Sequence, residues 1–104
     1  MLSAAPDVAD IELSPLARAD LAEIDEYGAD QFGQDASDRY LRGFNEAFAL
    51  LARHPFSGAA RAELGDGIRC LVHRKHRIFY RFEQNGITIV RIIHHARNAR
   101  NMLL

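Results

Sequence analysis

The chain has 104 residues, enough for one domain with a modest hydrophobic core and too few for two. It has no apolar run near the roughly 18 residues that a membrane span needs, and its N-terminus lacks the basic and then apolar order of a secretory signal. Cys70 is the only cysteine, which excludes an intramolecular disulfide and predicts a small buried hydrophobe. These features favour a soluble, cytoplasmic protein.

The formal net charge of −1 is unevenly distributed along the chain. Residues 1–60 carry 4 basic and 11 acidic side chains, whereas residues 61–104 carry 9 basic and 3 acidic ones. In one interpretation an acidic helical layer packs against a basic sheet, and in the other the second half forms a basic working surface. The near-neutral total argues against general affinity for nucleic acids.

The first predicted element is a short edge strand over residues 9–13, where Ile11 and Leu13 alternate with acidic residues. The carboxylates of this strand would point outward and discourage pairing with another chain. Met1–Val8 shows no periodicity, so we expect a flexible tail there, followed by a single domain over residues 9–104.

Two amphipathic helices are predicted next. Ser14 is a favourable N-cap and Pro15 a favourable first residue for the first helix, while Gly33 can adopt the left-handed conformation that ends it. The second helix is predicted from about Asp35 to Arg53, and its short connection to the first predicts an antiparallel hairpin. Its apolar face is formed by Tyr40, Phe44, Ala47, Phe48 and Leu51.

Three strands follow a loop over residues 55–66 that contains a proline and two glycines. They are predicted over residues 67–73, 78–83 and 87–94. The first turn between them is assigned to residues 74–76. The second is assigned to Asn85 and Gly86, because a two-residue reversal needs φ > 0 at both positions and these residues tolerate it best.

The predicted sheet is apolar on both faces, although only one helical hairpin is available to cover it. The last strand is expected to place Ile87, Ile89 and Ile93 on one face. Val90 and Ile92 are expected on the other face. The sequence leaves open whether a protein partner covers the second face or whether that face is exposed or self-associates.

The five histidines do not predict a metal site. His94 and His95 are adjacent on a predicted strand and should point to opposite faces, and no Cys/His spacing typical of zinc ligands is present. The sequence also lacks a glycine-rich phosphate loop and a nucleophile motif. We therefore expect neither a metal nor a cofactor.

Acid-base catalysis on RNA is the enzymatic alternative. His94 or His95 would carry the proton. The charge that develops on the phosphate would be stabilised by arginines, namely Arg69, Arg81 and Arg97. The competing interpretation of Arg69 and Arg81 is a surface pair with a carboxylate of the sheet or of a helix.

Five short motifs occur in succession from Leu13 to Asn98. They are L-S-P-x-A-x-x-D-L at 13–21, H-P-x-x-G at 54–58, G-I-R at 67–69, I-F-Y-R at 78–81 and R-I-I-H-x-x-R-N at 91–98. With them the chain resembles the ParE toxins of the RelE/ParE superfamily as far as about Arg100. The resemblance implies an α+β fold of order β-α-α-β-β-β, with the helical hairpin packed on a small antiparallel sheet.

The resemblance also implies a function, that of the toxin in a type II toxin-antitoxin module. A ParD-like antitoxin would wrap the toxin with an acidic C-terminal segment in a hetero-oligomer, and the free toxin would inhibit DNA gyrase without a reaction of its own. DNA would be contacted only indirectly, through the antitoxin. RelE-like relatives with the same fold are ribosome-dependent mRNA endoribonucleases, which is the alternative. A third alternative is a family member that only binds its antitoxin.

The resemblance also implies site residues, and the matched motifs include Arg69, Tyr80, Arg81, His94 and Arg97 among them. Antitoxin contacts are expected at Arg69, Leu71, Phe79, Tyr80 and Arg81. Target binding and toxicity are expected at His94, Arg97, Asn98 and Arg100. We expect no catalytic residue in a gyrase inhibitor, whereas a ribonuclease would use His94, His95 and Arg81. Asn98 departs from the family, in which an aspartate is frequent at this place.

Overall fold

The predicted β-α-α-β-β-β order is confirmed in the computed structural model, with three short additions. The structure describes residues 8–103, so the prediction of a flexible tail over Met1–Val8 lies outside the described residues except for Val8. The elements are β1 Asp10–Leu13, α1 Pro15–Phe32, α2 Gln34–Arg53, β2 Ala59–Ala60, a 3₁₀ helix Ala62–Leu64, β3 Arg69–His73, β4 His76–Glu83, β5 Gly86–His94 and α3 Ala99–Leu103. Within residues 8–103 no helix is long and apolar enough to cross a membrane.

The five strands form one sheet in the order β1-β5-β4-β3-β2. Strand β1 lies at an edge, as predicted, and pairs in parallel with β5, while the other neighbours are antiparallel. The first strand of the domain is therefore hydrogen-bonded to the last one.

The helical hairpin begins and turns where the sequence predicts. The Ser14 hydroxyl accepts a hydrogen bond from the Ala17 amide at 3.0 Å and donates one to the Val90 carbonyl at 2.7 Å, so it caps α1 and fixes it to β5. Gly33, with φ of +90°, is the single residue between the helices. The hydroxyl of Ser37 donates to the Asp25 carboxylate at 2.8 Å, which shows that α2 folds back along α1.

Both turns between the last three strands differ from the prediction. The first is one residue shorter than predicted, and the second is displaced by one residue. Gln84 and Asn85 have φ of +49° and +62°, whereas Gly86 is already the first residue of β5. The earlier turn consists of residues 74 and 75 only, because His76 belongs to β4. Burial of the apolar face against the helices fixes the register of a strand pair, and it outweighs the preference of the turn for glycine.

A β-bulge in β5 reverses the predicted direction of two isoleucines. Consecutive residues of β4 pair with Arg91 and Ile89, which leaves Val90 as the extra residue. Beyond this bulge Ile92 packs in the helix-side core and Ile93 packs in the cluster on the opposite face, contrary to the prediction. The alternation pattern could not show the inserted residue because this strand is apolar on both faces.

The second face of the sheet is covered by the chain itself, which the sequence analysis did not foresee. The helix-side core contains mainly Phe44, Phe48, Leu51, Ile78, Tyr80, Ile87, Ile89 and Ile92. The opposite cluster contains Leu64, Ile68, Cys70, Phe79, Ile93 and Ala99, with Met102 and Leu103 packed against it. The 3₁₀ helix and α3 thus cover this face, for which the sequence had left open a protein partner, exposure or self-association. Burial raises the pKa of the Cys70 thiol, as expected for a buried hydrophobe.

Candidate functional site

Two residues of the motifs form a buried ion pair that holds the fold together. The carboxylate of Asp20 accepts two hydrogen bonds from the Arg91 guanidinium, each at 2.8 Å, and a third from the Ile92 amide at 2.9 Å. Arg91 also donates to the Met102 carbonyl at 2.8 Å, and its bond to Asp20 raises the pKa of its guanidinium. This pair joins α1, β5 and α3, so these motif residues are structural.

The residues predicted for target binding lie together in the segment His94–Arg100, which runs from the last residue of β5 into the start of α3 and which we name the basic segment. Its backbone is held by β4 and the turn before it. The Arg77 guanidinium donates to the carbonyls of His95 and Arg97 at 3.0 and 2.7 Å, and the His95 amide donates to the Lys75 carbonyl at 2.8 Å. The side chains of Arg97, Asn98 and Arg100 are exposed.

His94 and His95 are stacked rather than on opposite faces. Their ring centroids are 4.5 Å apart with an interplanar angle of 29°. The prediction from strand alternation was wrong because β5 ends at His94, so His95 lies outside the strand. The His94 ring also makes an edge contact with His76 at 5.3 Å, and His76 shares a 2.7 Å hydrogen bond with the Tyr40 hydroxyl.

His76 and His94 are held in their neutral forms near neutral pH. Burial, with smaller contributions from His94 and His73, lowers the pKa of His76 from 6.5 to about 4. Desolvation and the neighbouring His95 lower the pKa of His94 as well. Burial raises the pKa of the Tyr40 hydroxyl. Tyr40, His76 and His94 therefore present neutral rings beside the cations of the basic segment.

The residues that a ribonuclease would use are not brought together. His94 pairs with His76 at one end of the β4–β5 ladder, whereas Arg81 pairs with Thr88 toward the other. His76 and Arg81 are five positions apart in β4, which corresponds to about 17 Å along an extended strand. Arg81 instead donates to the Asp66 carbonyl at 3.1 Å. The predicted combination of His94, His95 and Arg81 is therefore not an assembled site.

A cleft of about 610 Å³ lies between the far half of the helical hairpin and the basic segment. On the helical side it is lined by Tyr27 and Phe32, both largely exposed, whose rings are in edge contact at 6.5 Å. On the sheet side it is lined by Lys75, His76 and Arg97 among others. The cleft thus combines an apolar wall with a basic one. Among residues 8–103, no group of three or more His, Cys, Asp or Glu side chains is arranged to hold a metal ion.

The predicted antitoxin contacts divide into core and surface residues. Phe79 and Tyr80 are 0% exposed, so neither side chain can meet a partner in this conformation. They are buried because β4 lies in the middle of the sheet with a covered face on each side. Arg69, Leu71 and Arg81 remain partly exposed. The cover over Phe79 on the second face was not predicted, whereas Tyr80 lies on the face that the predicted helical hairpin covers.

Comparisons with known proteins identify first the fold and then the family. A chain of the solved chromosomal ParDE TA system from P. aeruginosa has the same fold, with a TM-score of 0.73 at 22% identity over 86% of this chain and 98% of that one. The class is thus an α+β fold in which a helical hairpin packs on a mostly antiparallel sheet.

Sequence similarity then identifies the family. Residues 11–99 match the model for the ParE toxin of type II toxin-antitoxin system, parDE. Toxin ParE1 of Mycobacterium tuberculosis is 39% identical over 83 residues, which cover 79% of this chain and 85% of that protein. Toxin ParE1 of Caulobacter vibrioides is 32% identical over 88 residues, which cover 85% and 91%. The chain belongs to the ParE toxin family of type II toxin-antitoxin systems, as the resemblance implied.

Proposed function

We propose that this toxin is neutralised by a ParD-like antitoxin and that, when free, it acts in the cytoplasm by binding DNA gyrase and blocking replication. The observation that carries the proposal is the basic segment, whose exposed Arg97, Asn98 and Arg100 extend from a backbone fixed by Arg77 and Lys75. A fixed backbone lowers the entropy lost when such side chains bind a protein surface. The toxin would act through this contact and not as an enzyme.

Antitoxin binding is supported by the charge of the second half of the chain. Residues 61–104 carry 9 basic and 3 acidic side chains, which suits an acidic segment that wraps the sheet. Arg69, Leu71 and Arg81 are the partly exposed contacts that we propose for it. Phe79 and Tyr80 are buried and would support these contacts only by packing in the core. DNA would be reached only through the antitoxin.

Arg81 gives a direct test of antitoxin binding. Arg81→Glu would place a like charge against the acidic segment and should weaken the complex by about 2 kcal/mol. The exposed Arg18→Glu on α1 makes the same charge change away from the proposed contacts and should leave the affinity unchanged. Calorimetric titration with the antitoxin measures both variants. An Arg81→Glu complex as tight as the wild type would remove Arg81 from the interface.

The alternative is a RelE-like mRNA endoribonuclease, and one observation favours it. The lowered pKa of His94 leaves its ring neutral near pH 7 and able to accept a proton, with Arg97 nearby in the basic segment. Expression of the toxin in growing cells separates the two functions. We expect DNA synthesis to stop while messages stay intact. Cuts in the ribosomal A site, mapped by primer extension, would support the ribonuclease, and normal growth would support a toxin that only binds its antitoxin.

A further inference from the structure

The loop Pro55–Gly58 between α2 and β2, which we name the anchor loop, holds an aromatic side chain in solvent. Phe56 is 67% exposed, although burial of such a ring would stabilise the fold. The H-P-x-x-G motif covers this loop, but the sequence analysis assigned no role to it. The structure shows a loop that is rigidly held while its apolar side chain stays outside.

The anchor loop is bound to the sheet by two side chains. The hydroxyl of Tyr80, a residue that is itself 0% exposed, donates to the Pro55 carbonyl at 2.7 Å and accepts from the Gly58 amide at 2.9 Å. Arg69 donates to the Gly58 carbonyl at 2.9 Å and to the Phe56 carbonyl at 3.3 Å. Four hydrogen bonds thus fix three of the four loop residues through their backbone atoms.

Gly58 makes this close approach achievable. A Cβ atom at this position would lie 2.7 Å from the Tyr80 ring and 2.8 Å from the Cys70 carbonyl oxygen. Any other residue would push the loop away from Tyr80 and break the hydrogen bonds of its hydroxyl. The loop geometry is therefore specified by a glycine, a buried tyrosine and an arginine.

The ring of Phe56 is itself oriented by its neighbours. It makes an edge contact with Phe82 at 5.5 Å and an interplanar angle of 89°. The Arg69 guanidinium lies over the ring, 5.1 Å from its centroid. An aromatic side chain with its conformation already fixed loses little entropy on binding, and aromatic residues and arginine dominate the energetics of protein interfaces.

We propose that Phe56, with Arg69 beside it, is a prearranged anchor for the acidic segment of the antitoxin. This inference rests on the proposed antitoxin partner and adds the residue on which the segment would be centred. The occupant would insert the Phe56 ring between its own apolar side chains and place a carboxylate against Arg69. Charge complementarity favours it, because Arg69 lies in the half of the chain with 9 basic and 3 acidic residues.

The test uses this toxin chain and a purified ParD-like antitoxin. Phe56→Ala should weaken the complex by about tenfold or more. Its melting temperature should stay within about 2 °C of the wild type, because the hydrogen bonds of the loop involve only the backbone of this residue. Leu16→Ala, which truncates a side chain that is 58% exposed on α1, is the matched control and should change the affinity less than twofold. Phe56→Glu should weaken the complex further, because it adds repulsion from the acidic segment.

The outcomes separate this inference from the proposed function. If the wild type binds its antitoxin and Phe56→Ala binds equally well, the anchor is excluded while the proposed function stands. Equal losses for Phe56→Ala and Leu16→Ala would also exclude it, because the effect would not be specific to the anchor loop. A wild type that does not bind the ParD-like protein at all would remove the antitoxin partner and the anchor together.

Discussion

The anchor loop and the middle of the basic segment are both irregular, and both are held by side chains of β4, one on each face of the sheet. Tyr80 holds the anchor loop from the helix-side core, whereas Arg77, whose guanidinium lies 5.9 Å from the Phe79 ring on the opposite face, holds the basic segment. The first arrangement presents an apolar ring and the second presents cations. One central strand therefore positions two surfaces of different chemistry.

The two arrangements differ in how completely the polar atoms of the holding side chain are hydrogen-bonded. The Tyr80 hydroxyl both donates and accepts, and Gly58 fits against it without spare room. Arg77 also makes two hydrogen bonds, but its buried Nε atom has no partner among the described residues. A buried donor without a partner reduces the net gain of such an arrangement. The anchor loop is therefore the more firmly held of the two segments.

The largest expected effect is that of filling the space at Gly58. Gly58→Ala should lower the free energy of unfolding by about 2 to 3 kcal/mol, because the new methyl group overlaps the Tyr80 ring and the Cys70 carbonyl. Gly86→Ala is the control, since its nearest contact would be an ordinary 3.6 Å. Urea unfolding measures both. Equal stability of Gly58→Ala and the wild type would show that the anchor loop is not tightly held.

Acid should destabilise the end of the molecule near the basic segment. Because the pKa of His76 falls from 6.5 in the unfolded chain to about 4 in the fold, both states are neutral above about pH 6.5. Between these values the unfolded chain binds a proton that the fold does not. The free energy of unfolding therefore decreases as the pH is lowered. The loss should reach about 2 kcal/mol near pH 4, allowing for partial exposure of the ring.

Stability measured across this pH range tests the role of His76. His76→Phe should flatten the dependence between pH 6.5 and about 4. His54→Asn, which replaces an exposed histidine at the end of α2, is the control and should retain it. A dependence as large in His76→Phe as in the wild type would assign the effect to other groups, such as His94, whose pKa is also lowered.

The smallest effect on global stability is expected for Arg77→Met, at about 1 kcal/mol, because the two hydrogen bonds it removes are exposed. Its local effect should be clear. Amide hydrogen exchange should accelerate by about tenfold over residues 95–97 and stay unchanged in the anchor loop. Equal acceleration in both regions would contradict the separate support of the two segments.

Most of the correct predictions concern residues that act on their immediate neighbours in the chain. Ser14, Pro15 and Gly33 act within a few residues of themselves, so the ends of the helices could be read from the sequence. The ion pair of Asp20 and Arg91 joins residues 71 positions apart, and no spacing rule connects them. The motifs contained both residues but gave no reason to pair them.

The errors in the sheet have a common physical cause. A bulge in β5 and a cover on the second face both depend on tertiary packing, which alternation along one strand does not report. Because of the bulge, the faces predicted for Ile92 and Ile93 were wrong. Because of the cover, Phe79 lies in the core and not at the surface. The same limit applied to the anchor loop, because the role of Tyr80 there depends on a contact 25 residues away along the chain.

The most direct test of the central claim, that this toxin acts by binding through its basic segment, is a supercoiling assay with purified DNA gyrase. Wild-type toxin should inhibit supercoiling in a dose-dependent way, and the antitoxin should relieve the inhibition. Arg97→Glu, which reverses an exposed charge, should require a concentration about tenfold higher for the same inhibition. Full supercoiling at saturating wild-type toxin would contradict the claim.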